Sequence, residues 1–119
     1  MRDDLDAALA LGHLERACPV RTAIGVISGK WKPAILRAIN ETPRRYGEIR
    51  ADVPGIADQA LTRHLRELRA DGVIERDETA SSYRLTLQGH RLAGIMDALE
   101  RWGEGYLDMR NEKDGHDRR

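Results

Sequence analysis

Residues 55–72 read GIADQALTRHLRELRADG, and this stretch decides the fold. Leu61, Leu65 and Leu68 recur at i, i+4 and i+7, so a helix would place them in one apolar stripe facing a core. The preceding Pro-Gly pair rules out an earlier helical start, and Asp58 suits a first turn by its charge. Gly72 stands where a left-handed stop is expected. The pattern predicts a short amphipathic helix of about 20 Å.

We expect no carboxylate on the outward side of this helix. That side combines amide, hydroxyl and guanidinium groups with one small residue, at Gln59, Thr62, Arg63, Arg66 and Ala70. These groups are the ones that contact base edges and phosphates in DNA. Arg and Gln are also common on ordinary solvated helices, and from this segment alone that second interpretation stays open.

Chain length indicates a single domain, and the distribution of charge shows where its basic residues lie. A chain of 119 residues has the size of one domain, and we expect it to span residues 1–110, followed by a charged, disordered tail over residues 111–119. Twenty basic and twenty acidic residues cancel overall, but residues 29–70 hold nine basic and five acidic ones. The excess of positive charge therefore lies around the outward helix.

Several classes of protein are disfavoured. The chain has no apolar run of membrane-spanning length, and its N-terminus is acidic where a signal peptide is basic, so we expect a soluble cytoplasmic protein without membrane contact. Cys18 is the only cysteine, and the sequence shows no metal-ligand cluster, glycine-rich phosphate loop or paired catalytic carboxylates. The sequence therefore predicts a protein that is not an enzyme and has no metal or cofactor.

The order of elements completes the fold prediction. Apolar spacing predicts helices over residues 3–10, from Pro19 to residue 27, over residues 30–39 with Trp31 as a core anchor, and over residues 47–53. Residues 73–77 and 83–87 read as a hairpin, after which Thr86 is placed to cap a last helix. Helix, helix, basic helix and hairpin is the order of a winged helix-turn-helix. We expect a mainly α fold with a small β-hairpin wing.

The last helix carries a second apolar pattern. Its large apolar residues step by three and four, which is typical of a helix-pairing seam: Leu92, Ile95, Leu99, Trp102, Tyr106 and Met109. So small a domain offers such a seam no internal partner. We expect it, together with Leu5 and Leu9 of the first helix, to form a homodimer interface.

Several short motifs occur along the chain: Cys18-Pro19-Val20, Ile27-Ser28-Gly29-Lys30-Trp31-Lys32, Arg45-Tyr46-Gly47-Glu48-Ile49, Pro54-Gly55-Ile56, Leu61-Thr62, Leu65-Arg66-Glu67-Leu68, Asp71-Gly72-Val73-Ile74 and Tyr83-Arg84-Leu85-Thr86. In this order and at near-family spacing, over about residues 18–105, they resemble the HxlR-type family of bacterial transcriptional regulators. The resemblance implies a homodimeric, MarR-related transcriptional regulator that binds double-stranded DNA at a palindromic operator through one recognition helix per subunit. The alternative from another class is a winged helix that only binds proteins.

Two departures from the family pattern stand out. Family members usually have Ser at the position of Ala57, where its side chain would cap the recognition helix, so this cap is missing. The wing is shorter than usual and carries the adjacent acids Asp77 and Glu78, which weakens the case for a phosphate contact there.

The sequence assigns DNA contacts in two groups. Base and nearby phosphate contacts are predicted for Gln59, Thr62, Arg63 and Arg66, and backbone contacts for Lys30, Lys32, Arg44, Arg45 and Arg69.

Cys18 has two open interpretations. Its Cys-Pro-Val setting resembles the position that senses oxidants or electrophiles in some members of the family, and Arg16, Arg21 and a helix start lie near it, which is typical of reactive thiols. A possible oxidant or small-molecule effector follows from this interpretation. The other interpretation is a small packing residue at a helix junction.

Overall fold

The computed structural model describes residues 18–117, with side chains as far as residue 113. Within this range the chain forms, in order, α1 (Pro19–Ile27), α2 (Lys32–Ile39), β1 (Arg44–Arg45), α3 (Tyr46–Asp52), α4 (Asp58–Ala70), β2 (Ile74–Asp77), β3 (Ser82–Leu85) and α5 (Leu87–Asp117). The fold is mainly helical with a small antiparallel sheet, and the predicted winged helix-turn-helix order is confirmed. The helix predicted over residues 3–10, with Leu5 and Leu9, lies outside the described residues.

The sheet contains one strand more than the predicted hairpin. Strands β2 and β3 pair antiparallel, with Ile74 opposite Leu85, and β1 adds to the other edge of β3, with Arg44 opposite Tyr83. A strand of two residues has too few positions for an alternating apolar pattern, so no sequence signal marks it. Through β1 the sheet is joined directly to the start of α3.

The core lies between the helix-turn-helix and the sheet. Its fully buried side chains come from α2, α3 and α4, namely Ile35, Ile39, Ile49, Leu61, Leu65 and Leu68. Trp31 is half-buried and packs against this cluster, which confirms its predicted role as a core anchor. Leu92 of α5 is also buried in the protomer core. It was predicted to form the dimer interface, and this assignment is corrected because Leu92 and Met96 face the core of their own protomer.

Helix α1 leaves part of its apolar face in solvent. Residues 20, 23, 24 and 27 share one face by their helical spacing, but Val20 is 72% exposed and Ile24 is 54% exposed. Val26 and Ile27 at its C-terminal end pack against the core instead. The first two turns of α1 therefore present apolar side chains to solvent.

Helix α5 starts at a defined cap and is longer than predicted. The Thr86 hydroxyl accepts a hydrogen bond from the Gly89 N–H at 3.2 Å, as the sequence predicted. Residues 111–117 continue the helix, where a disordered tail was expected. This segment lacks proline, so each further residue adds a backbone hydrogen bond to an existing helix at little cost. Among residues 18–117, no helix combines the length and apolarity needed to cross a bilayer.

Candidate nucleic-acid interface

The core holds α4 firmly along one side. Leu61, Leu65 and Leu68 are 0%, 2% and 0% exposed, so the predicted apolar stripe is confirmed. Gly72 ends the helix with φ of +76°, a conformation that favours glycine because a side chain would be strained there. The opposite side of α4 is left in solvent by this arrangement.

The first turn of α4 is fixed by α3 rather than by a side-chain cap. Ala57 makes no capping hydrogen bond, as its methyl side chain requires. The Tyr46 hydroxyl donates to Asp58 Oδ1 at 3.1 Å and lies 3.4 Å from Thr62 Oγ1, and Arg50 Nε lies 3.1 Å from the same Asp58 oxygen. These contacts tie the start of α4 to α3 and offset the missing cap, which costs about 1 kcal/mol in typical helices.

The outward side of α4 forms a shallow open groove. The four residues predicted to contact bases all line it, together with one further residue: Gln59, Thr62, Arg63, Arg66 and Asp58. The side was expected to carry no carboxylate, and Asp58 corrects that expectation. Its carboxylate is already paired with Arg50 and accepts a hydrogen bond from the Tyr46 hydroxyl. Arg66 is exposed and has no ion-pair partner among the described residues.

Beside the groove lies a charged cluster that crosses from α2 to α4. Lys32 Nζ lies 2.8 Å from Glu67 Oε2, and Arg63 Nε lies 3.6 Å from Glu67 Oε1. The hydrogen bond from Lys32 holds the pKa of the Glu67 carboxyl below its usual value. On the same helix, burial and then the nearby Arg63 charge lower the pKa of His64. His64 Nδ1 is buried and has no hydrogen-bond partner within the described part of the chain.

This cluster overturns one predicted contact. Lys32 was assigned to the DNA backbone, but the residue is only 7% exposed and its ammonium is engaged by Glu67. A phosphate cannot reach an ammonium that is buried in this way, so Lys32 supports α4 from within.

The other predicted backbone contacts differ in how available they are. Lys30 and Arg45 are exposed, with the Lys30 ammonium 4.7 Å from the centre of the Trp31 ring. Arg44 is paired with Asp52 and has only 26% of its side chain exposed. Arg69 lies 4.0 Å from Glu78 at the wing. Two of the remaining four cations therefore already have internal carboxylate partners.

Both arginines of the wing are paired with carboxylates of the wing. Arg84 Nε lies 2.7 Å from Glu75 across the strand pair, and Arg76 is paired with Glu78. At the tip, Asp77 Oδ1 accepts hydrogen bonds from two backbone N–H groups at 2.9 and 3.1 Å. The acids in the wing thus stabilise the turn and occupy the neighbouring guanidiniums.

Helix α5 leaves an apolar stripe in solvent. Its large side chains are between 41% and 69% exposed at Ile95, Leu99, Trp102, Tyr106 and Met109. The Trp102 and Tyr106 rings stack on each other with centres 5.1 Å apart. Single exposed apolar residues are ordinary, whereas a contiguous exposed stripe is typical of surfaces that contact another protein.

Cys18 is exposed immediately before α1. This exposure favours the interpretation as an accessible thiol over that as a packing residue.

Sequence reasoning missed the residues that support the groove. Glu67 stands four residues after Arg63, a spacing that signals a possible ion pair on a helix. Its partner Lys32 is 35 positions away, and no spacing rule connects them. The contacts of Tyr46 and Arg50 with Asp58 likewise depend on how α3 packs beside α4.

Comparison with known proteins places this architecture. The family model described as HxlR-like helix-turn-helix matches residues 26–111. The uncharacterized HTH-type transcriptional regulator YdeP of Bacillus subtilis is 38% identical over 96 residues, which cover 76% of this chain and 75% of YdeP.

Solved structures agree with that placement. A protein described as a transcriptional regulator of the MarR family from Enterococcus faecalis V583 superimposes with a TM-score of 0.71 at 28% identity, over 79% of this chain and 90% of that one. The redox regulator HypR in its reduced form also gives a TM-score of 0.71, at 33% identity over 79% of this chain and 98% of HypR. This chain therefore belongs to the HxlR-like helix-turn-helix family and is a transcriptional regulator of the HxlR and MarR type.

Proposed function

We propose that this regulator binds a palindromic operator in cytoplasmic double-stranded DNA as a homodimer, with α4 of each subunit in the major groove. The observation that carries this proposal is the groove on α4, which collects an amide, a hydroxyl and two guanidiniums on one solvent-facing side. Arg reads guanine by two parallel hydrogen bonds and Gln reads adenine, so these groups match base edges. The buried leucines on the other side of α4 hold the helix in place against the core.

Arg63 and Arg66 are the proposed readers of base edges, with Gln59 and Thr62 beside them. Lys30 and Arg45 are exposed and are proposed to hold phosphates, with Arg44 and Arg69 contributing as far as their internal carboxylate partners release them. Base contacts set which sequence is chosen, whereas phosphate contacts set affinity on every sequence.

Selection from a randomised duplex pool, followed by mobility shifts on the enriched duplex, tests this function. We expect Arg66→Ala to lower discrimination between that duplex and single base-pair variants, by about 1–3 kcal/mol for a bidentate guanine contact. Arg91→Ala, an exposed arginine on α5 outside the groove, is the matched charge control. A wild-type protein that enriches no sequence and binds no duplex would instead favour a winged helix that binds only proteins.

The homodimer is proposed from α5. The stripe from Ile95 to Met109 stands clear of the protomer core, and Trp102 and Tyr106 would be covered by the same stripe of a second copy. Pairing like faces around a twofold axis gives a closed dimer. Two α4 helices would then face half-sites about 34 Å apart, or a multiple of one DNA turn.

We further propose that an oxidant or electrophile controls DNA binding through Cys18. The thiol is exposed at the start of α1, and the similar HypR is named a redox regulator. A lone cysteine per chain restricts the product to a Cys18–Cys18 bond between subunits, a mixed disulfide with a small thiol, or an alkylated thiol. Diamide accepts the two electrons and two protons released when two thiols form a disulfide.

Diamide or quinone treatment followed by operator binding tests the sensor. We expect treated wild-type protein to lose affinity and treated Cys18→Ser protein to keep it. Equal affinity before and after treatment, with mass spectrometry showing that Cys18 is modified, would reject the sensor and leave the DNA-binding proposal standing.

A further inference from the structure

We propose that Glu67 is a positioning residue, which holds the Arg63 guanidinium in place for base contact while the buried Lys32 anchors it. The inference rests on the proposed function, because it concerns how α4 reads DNA. Its starting point is that the two carboxylate oxygens of Glu67 serve different cations. Oε2 lies 2.8 Å from Lys32 Nζ, and Oε1 lies 3.6 Å from Arg63 Nε.

The Lys32 contact fixes where the carboxylate sits. Lys32 is the first residue of α2, and its side chain is 9% exposed. A buried ammonium without a partner is strongly unfavourable, so Glu67 has to stay beside it. The pKa of Glu67 is lowered by this hydrogen bond, which keeps the carboxylate ionised.

The fixed carboxylate in turn limits the orientations of Arg63. The side chain of Arg63 is 62% exposed, and residues at i and i+4 are neighbours on a helix surface. Glu67 approaches the inner nitrogen Nε, and a bidentate guanine contact uses the outer end of the guanidinium. The pair therefore restricts the side chain while its reading edge stays available.

Lys32 also offsets the repulsion that the Glu67 carboxylate would exert on DNA phosphates. A lone carboxylate beside a DNA-binding groove repels phosphate, but here a buried positive charge lies 2.8 Å away. The cluster of Lys32, Glu67 and Arg63 keeps a net charge of +1. Glu67 can thus orient Arg63 without turning the surface acidic.

The inference is tested with the duplex that the wild-type protein enriches from a randomised pool, its single base-pair variants, and a mixed-sequence duplex. Restricting a flexible side chain before binding saves ordering cost, so Glu67→Gln is expected to lower the discrimination ratio by between about twofold and tenfold. Affinity for the mixed-sequence duplex should not fall, because the substitution removes a negative charge. Glu112→Gln, an exposed glutamate on α5, controls for the loss of one carboxylate.

A double-mutant cycle separates positioning from a direct or structural role. In an Arg63→Ala background, Glu67→Gln should cause no further loss of discrimination. The double variant Lys32→Met/Glu67→Gln also removes the buried ammonium charge. It should lose as much discrimination as Glu67→Gln alone, and it should unfold at the wild-type temperature or above.

Three results would overturn the inference. The discrimination ratio could be unchanged in Glu67→Gln, Glu67→Gln could still lower it in the Arg63→Ala background, or adding Lys32→Met to Glu67→Gln could return it to the wild-type value. If the wild-type protein itself enriches no sequence, the proposed function fails first and this inference fails with it.

Discussion

Among the described glycines, Gly89 is the one where an added methyl group should destabilise the fold most. It lies in the first turn of α5 and is buried. A Cβ built there would lie 2.0 Å from the Val73 carbonyl oxygen and 3.1 Å from Leu85 Cβ. Carbon and oxygen normally approach no closer than about 3.3 Å, so α5 and the start of the wing would have to separate by about 1 Å.

The cost of that separation can be worked from the contacts. The Val73 carbonyl also accepts a hydrogen bond from the Thr86 N–H at 3.1 Å, and moving it leaves buried polar groups poorly paired, at about 1–3 kcal/mol. Overpacking adds strain of about 1–3 kcal/mol. Alanine has a higher helix propensity than glycine, which offsets up to about 1 kcal/mol of this destabilisation. We expect Gly89→Ala to destabilise the fold by about 3 kcal/mol and lower the melting temperature by about 10 °C.

Thermal unfolding followed by far-ultraviolet circular dichroism measures this effect. Protomer concentration must be held constant, because dimerisation shifts the apparent stability. Gly94→Ala is the matched control on the same helix, since a Cβ there meets no described atom within 4 Å, and it should be neutral or stabilising. A Gly89→Ala protein that melts with the wild type or with Gly94→Ala would refute the reasoning.

Three further predictions concern charge and assembly. Glu78→Gln should raise affinity for a mixed-sequence duplex and steepen its salt dependence, because it frees Arg76 and Arg69 for phosphate. Titrations at two salt concentrations check this, and unchanged binding would contradict it. Because the folded-state pKa of His64 is lowered from 6.5, its contribution to stability is fully present above that pH and is lost as the pH falls through the folded value. The urea midpoint of the wild type, relative to that of His64→Gln, should therefore fall as the pH drops from 6.5 through the lowered pKa, and parallel pH profiles would count against this. Leu99→Asp should be monomeric in sedimentation at micromolar concentration, whereas a stable dimer would place the interface away from α5.

Local patterns determined the helices and their order. The leucines of α4, the cap at Thr86 and the stop at Gly72 are read from short spacings, because a helix repeats every 3.6 residues and its ends need particular side chains. The groove residues followed for the same reason, since one side of a helix is fixed once its buried side is known. The family resemblance was also carried by local motifs, and the family match confirmed it.

Tertiary structure decided which charges and apolar groups are available. The sequence does not distinguish Lys30, which is exposed, from Lys32, whose ammonium is buried against Glu67. Lys32 and Glu67 lie on different helices and are 35 residues apart in the sequence, so no local spacing connects them. It also does not separate Leu92, which the core covers, from Leu99, which stands in solvent on the same 3-4 pattern. Periodicity fixes which residues share a side of a helix, but only the packing of other elements against that side determines where its coverage ends.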